Sequence, residues 1–144
     1  MVAERKEPVV CLVARHDELA SEQIVSMQQL CKKPLALPRQ SFGLRQLFDR
    51  TAEARLFKPR IVVEANNLDI LRATAVLGTC VTIGPEISAR REIEAGLLKA
   101  IPIDLESFRN VRSAVCVHQE RVPSYATNAF VKFLKERFPL GSPR

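Results

Sequence analysis

Apolar residues along this chain fall into short runs separated by stretches with helical spacing, and that alternation sets the expected architecture. Val9 to Ala14 is a continuous apolar run, as expected of a strand buried on both faces. Pro34 to Leu37 is a shorter one. The β-branched run Ile61 to Val63 is followed by Asn66-Asn67, a helical stretch from Leu68 to Leu77, and Gly78. Cys80 to Ile83 then meets Gly84-Pro85 and a second helical stretch ending at Gly96. Strand, helix, strand, helix, with a glycine where each helix should stop, predicts a βαβα unit and a parallel sheet flanked by helices.

The remaining segments extend this pattern. Val25 to Leu30 predicts a short helix. Ser41 is placed to cap a longer one, on which Leu44, Leu47, Phe48, Thr51 and Ala52 recur with the spacing of one buried face. Arg45, Arg50 and Arg55 point away from that face, and Arg45 stands four residues before Asp49, the spacing of a surface ion pair. After Leu98 to Ile103 and a polar loop, Asp104 to Asn110, the run Val111 to Gln119 predicts another strand. Ser124 to Phe138 predicts the last helix, with Ala126, Phe130, Phe133 and Leu134 as its buried stripe and Lys132, Lys135 and Glu136 in water. The tail Pro139 to Arg144 is expected to fray.

Length and composition narrow the function. A chain of 144 residues is one domain with room for a real core. No apolar run reaches membrane-spanning length, and the charged start, Met1 to Glu7, lacks the apolar stretch of a secretory signal, so a cytoplasmic protein is expected. Cys11, Cys31, Cys80 and Cys116 show no C-x-x-C spacing and read as small buried hydrophobes rather than metal ligands or disulfides. The net charge of +6 comes from scattered basic residues with little aromatic interleaving, a mixed solvated surface rather than a nucleic-acid face. No helix-turn-helix fits Met27 to Leu47, because Pro34 and Pro38 interrupt it. The two histidines, His16 and His118, have no metal spacing, and no P-loop, G-x-S-x-G, H-E-x-x-H or G-x-G-x-x-G occurs. No enzyme, cofactor or metal is expected.

The order Glu64, helix Leu68 to Leu77, Gly78, Val81 to Ile83, Pro85 and Gly96-Leu97-Leu98 resembles the effector-binding (substrate-binding) domain of the LysR-type transcriptional regulators, in its C-terminal portion. Leu19-Ala20, the helix ending at Leu30, Pro34 to Leu37, the trio Arg45, Asp49 and Pro59, and Arg121, Ser124 and Phe130 extend the resemblance over about residues 9–139. The chain departs from the family pattern at Asp17 and Glu18, at Cys80 in place of a second glycine, and at Gly84 before the proline. Phe42 and Gly43 stand where a redox-sensing branch of the family has its cysteine. The resemblance implies a periplasmic-binding-protein type 2-like lobe. Residues 9–110 would be a complete second lobe and 111–139 a strand and helix of an otherwise absent first lobe. It also implies a small-molecule anionic effector, DNA contact only through a winged helix-turn-helix outside this chain, no membrane, and homo-oligomers of the full-length protein. The matching dimer segments are Phe42 to Leu56 and Arg60 to Glu64. A lobe of a transporter's solute-binding protein, or an enzyme of prephenate dehydratase type on the same fold, is the alternative; the first needs an export signal and the second catalytic groups.

In an open parallel sheet, ligands sit beyond the carboxyl ends of the strands. Those ends are expected at Leu37, Ala65 and Ile83, each running into a helix N-terminus, where unpaired N–H groups favour anions. Arg39 adds a full charge and a fork of donors suited to a carboxylate. Pro38, Arg39, Gln40 and Ser41, which also match the family's effector loop, together with Asn66, Gly84 and Pro85, are thus the candidate ligand-binding residues for half of a cleft. The plain alternatives are that Ser41 and Asn66 only cap helices, Asn66 with Asp69 at capping-box spacing, and that Arg39 is a solvated loop residue.

Overall fold

A computed structural model describes residues 3–118 and 121–137. The chain divides into two compact units, Pro8–Arg109 and a second formed by Met1–Glu7 with Asn110–Arg144. The larger unit opens with β2 (Val9–Ala14), which follows β1 (Ala3–Lys6) of the smaller one. Then come a 3-10 turn (Glu18–Ser21), α1 (Met27–Cys31), β3 (Pro34–Pro38), α2 (Gly43–Ala54), β4 (Arg60–Ala65) and α3 (Leu68–Val76). β5 (Val81–Pro85), a 3-10 turn (Glu86–Ala89), α4 (Arg90–Glu94), β6 (Leu98–Pro102) and α5 (Glu106–Arg109) complete it.

Its five strands lie in the order β4-β3-β5-β2-β6. β3 runs parallel to both β4 and β5, while β2 is antiparallel to its neighbours β5 and β6. Four strands therefore share one direction and β2 alone opposes them. All six β2 residues are buried, because strands flank it on both sides and helices cover both faces. Val10 and Leu12 pack with Ala75 of α3, with Ala89 and with Leu98; Ala36 of β3 packs with Leu71 of α3, Ala65 and Cys80. Leu35 and Leu37, alternating with Ala36, face the other way and are fully buried, as is Phe48 of α2. The buried Thr82 hydroxyl donates across to the Ala36 carbonyl at 2.7 Å.

Helix ends follow backbone chemistry. Gly78 at φ 74° and Gly96 at φ 72° take the left-handed conformation just past α3 and α4, and Leu97 N–H donates back to Glu92 O at 2.8 Å. α2 stops in the same way without a glycine: Leu56 sits at φ 58°, with Phe57 N–H donating to Ala52 O at 2.8 Å. Ser26 and Gln29 form a capping box on α1.

Several sequence expectations give way here. The polar loop 104–110 contains α5, anchored by the buried Phe108. The charged start holds β1, which pairs antiparallel with β7 (Arg112–Val115), a strand that stops short of the run expected from Val111; Gln119 lies outside the described residues. The last helix is α6 (Tyr125–Arg137), and its expected buried stripe is not buried: Phe130 and Phe133 are exposed and no α6 residue is enclosed. A two-stranded ladder offers too little surface to cover it. Phe138 and the tail Pro139 to Arg144 lie outside the described residues. Among the described residues no helix is long and apolar enough to cross a membrane.

Candidate functional site

The parallel strands β3, β4 and β5 bring their carboxyl ends to one edge of the sheet. Pro38 pairs in register with Ala65, and Gly84 lies two residues beyond Thr82 just as Pro38 lies two beyond its partner Ala36. Pro38 to Ser41, Asn66, Gly84 and Pro85 therefore all sit on a single rim. β2 begins there too, since Val9 pairs with Pro85. Three helical segments start along this rim, at Gly43, Leu68 and Glu86.

The tips differ in how they are closed. At α3 the cap is Asn67, whose side chain accepts from Asp69 N–H at 2.7 Å; Asn66, expected in that role, is one residue too early. At α2 the cap position is Phe42, and no side chain caps the first turn. Ser41 cannot serve because the chain makes a turn first, Phe42 N–H donating to Arg39 O at 3.0 Å, which delays the helix to Gly43. Pro85 heads the third tip without a side-chain cap, and Ser88 Oγ donates to its carbonyl. Gly84 is buried beneath, with Ser88 Oγ 3.5 Å from where a β-carbon would stand.

The main chain of the 38–41 loop is fastened at each step. Arg39 N–H donates to Ala65 O at 3.3 Å, and Gln46 Nε2 donates to Gln40 O at 3.1 Å. Arg45 Nη1 donates to Pro38 O at 3.0 Å. By contrast, the exposed side chains of Arg39, Gln40 and Ser41 make no hydrogen bond among the described residues, and Arg39 has no carboxylate partner there. A rigid backbone thus presents a cation and two polar groups beside an uncapped helix start.

Arg45 itself departs from expectation. It bonds Asp49 at the predicted spacing, with Nε 2.8 and 3.0 Å from the two carboxylate oxygens, yet it is only 4% exposed rather than on the surface. Glu64 adds a second carboxylate at 3.3 Å. Burial pulls the guanidinium pKa down, but the Asp49 and Glu64 carboxylates outweigh it and the net shift is upward, so the cation is permanent.

Other clefts hold less suitable chemistry. A groove of about 840 Å³ runs between α3 and α4 over Ala73, Val76, Leu77, Ile87 and Leu97; Arg72 is engaged by Asp69 and Glu92, and Arg90 by Glu94. Among the described residues no group of three His, Cys, Asp or Glu side chains converges to hold a metal. Cys11 and Cys80 are buried, and burial pushes the Cys11 thiol far up, whereas Cys31 is half-buried and Cys116 exposed, against the expectation of burial for all four.

In open α/β sheets, ligands bind beyond the carboxyl ends of the parallel strands, the edge at which these helix starts lie. The LysR substrate binding domain family matches residues 4–139, and the chain belongs to that family. No curated protein matches the sequence. Among solved structures, the fold is similar to the effector binding domain of QuiR in complex with shikimate, at 20% identity and a TM-score of 0.73, covering 95% of this chain and 66% of that one. It is also similar to the regulatory domain of CcmR from Synechocystis PCC6803 in complex with 2-PG, at 14% identity and a TM-score of 0.74, covering 94% and 67%. The regulatory domain of MetR from N. meningitidis matches at 12% identity and a TM-score of 0.70, covering 99% and 71%. The chain spans about two thirds of the length of these domains.

Proposed function

We propose that this chain is the effector-sensing part of a LysR-type transcriptional regulator, and that its rim forms one wall of a site for a small organic anion. The observation that carries this is the rim itself: parallel strand ends deliver to one edge the side chains of Arg39, Gln40 and Ser41, which make no hydrogen bond among the described residues, and an α2 start without a side-chain cap. An anion there meets a full positive charge and unpaired N–H groups together. Shikimate, bound by the QuiR domain, is a carboxylic acid and fits that chemistry. Asn66, Gly84 and Pro85 contribute backbone and amide contacts from the neighbouring strand ends. In the complete regulator, effector occupancy changes the population of DNA-binding arrangements rather than any covalent bond. The regulator works in the cytoplasm, contacts DNA through a winged helix-turn-helix outside this chain, and pairs with a second copy.

Thermal melts with shikimate, benzoate, citrate and malate test the reading. A ligand at ten times its Kd stabilises by about 1.4 kcal/mol, a rise of roughly 3–6 °C for a domain of this size. One of the four should give such a shift in the wild type and lose it in Arg39→Ala. No shift from any of them, or an equal shift in the variant, refutes it.

A further inference from the structure

We infer that Arg45 is a positioning residue for the anion site: its enclosed guanidinium sets the 38–41 loop so that Arg39 is held where the ligand meets it. The inference rests on the anion-binding reading above. An ion pair at helical spacing explains only the Asp49 contact. It does not explain why the guanidinium is almost fully buried, or why one of its nitrogens is directed at a main-chain carbonyl seven residues earlier.

The geometry is that of a clasp across three elements. Nε is held by Asp49 on α2, and Nη1 meets Pro38 O at the end of β3 and Glu64 Oε2 on β4. Burying a cation is costly unless every donor direction finds an acceptor, and a planar fork supplies donors to three sites at once. A lysine ammonium cannot span that set. Pro38 O is the last strand carbonyl before Arg39, so its placement fixes the direction in which the loop leaves the sheet. Releasing it leaves the loop tied only through Arg39 N–H and Gln40 O, while the apolar contacts of Phe48 and Ala52 still hold α2 in place. A charge that only stabilised the fold would act on affinity independently of Arg39; a positioning residue acts through it.

A double-mutant cycle separates the two. Wild type, Arg39→Ala, Arg45→Lys and the double variant are titrated calorimetrically with whichever of shikimate, benzoate, citrate and malate gives the largest thermal shift. Arg45→Lys should weaken binding about tenfold in the wild-type background and less than about twofold when Arg39 is already absent. Affinity of Arg45→Lys within about twofold of wild type, or equal losses in both backgrounds, overturns the inference and leaves the anion reading standing. Unchanged affinity in Arg39→Ala overturns both. Should Arg45→Lys not fold, Asp49→Ala slackens the same guanidinium from a half-exposed position and is judged by the same two outcomes.

Discussion

Leu56 is a leucine where the backbone asks for glycine, and replacing it should stabilise the protein. It closes α2 at φ 58°, with Leu56 N–H donating to Glu53 O at 3.0 Å and Phe57 N–H to Ala52 O at 2.8 Å. A side chain in that conformation costs about 1–2 kcal/mol from the clash of Cβ with the following carbonyl. Glycine removes the clash but returns about 0.5–1 kcal/mol as extra freedom of the unfolded chain. Leu56 is 89% exposed, so almost no burial is lost. The difference leaves Leu56→Gly more stable by about 0.5–1 kcal/mol, or roughly 1–4 °C in Tm. Gly78→Ala is the mirror experiment: at φ 74° its new Cβ would stand 3.7 Å from Ala14 Cβ, an ordinary contact, so only the backbone conformation is penalised. It should lose about 1 kcal/mol. Urea unfolding reads both as shifts of midpoint at constant slope. A lower midpoint for Leu56→Gly refutes the reasoning, because it would mean that the leucine earns more from its contacts than its backbone costs.

Asn67→Ala should destabilise by about 1 kcal/mol through loss of the α3 cap, while Asn66→Ala should stay within about 0.5 kcal/mol of wild type in the same urea series; the reverse order would move the cap. Lys33 lies 3.1 Å from Asp17. Burial lowers its pKa, but Asp17 and Glu18 outweigh that and raise it above the ordinary 10.5. A raised folded pKa means stability fully present below the unfolded value and lost as pH rises through the folded one. Lys33→Met should therefore flatten the alkaline limb of the stability profile above pH 10.5, and an unaltered limb would contradict the pairing.

The β3-α2-β4-α3-β5 succession was legible because each of those segments carries its own period and its own stop. Gly78 and Gly96 mark their helix ends in the sequence, whereas Leu56 does the same work with no local signal at all. The direction of β2 was not legible either. An apolar run buried on both faces looks the same whichever way it points, and its partners are 70 to 92 residues away. Caps shifted by one residue because a side chain's reach depends on the turn preceding it, as at Phe42 and Asn67. For the proposed site, the strand ends and helix starts that share one edge were visible in the sequence, as was the charge of Arg39. The burial of Arg45 was hidden, since spacing to Asp49 says nothing of a carbonyl at Pro38 or a carboxylate on β4. The α6 stripe failed in the opposite sense: an amphipathic pattern names a face, not what covers it.

The reversed interior strand also bears on biosynthesis. β2 is made well before either of its partners, and both of its ladders wait for residues 81–85 and 98–102. At about 5–20 residues per second, a ribosome needs roughly 4–15 s to supply the first of them. Throughout that interval a sticky hexapeptide of Val, Cys, Leu and Ala is in search of a mate. Nascent chains of this protein should consequently be good customers for chaperones until β5 has emerged.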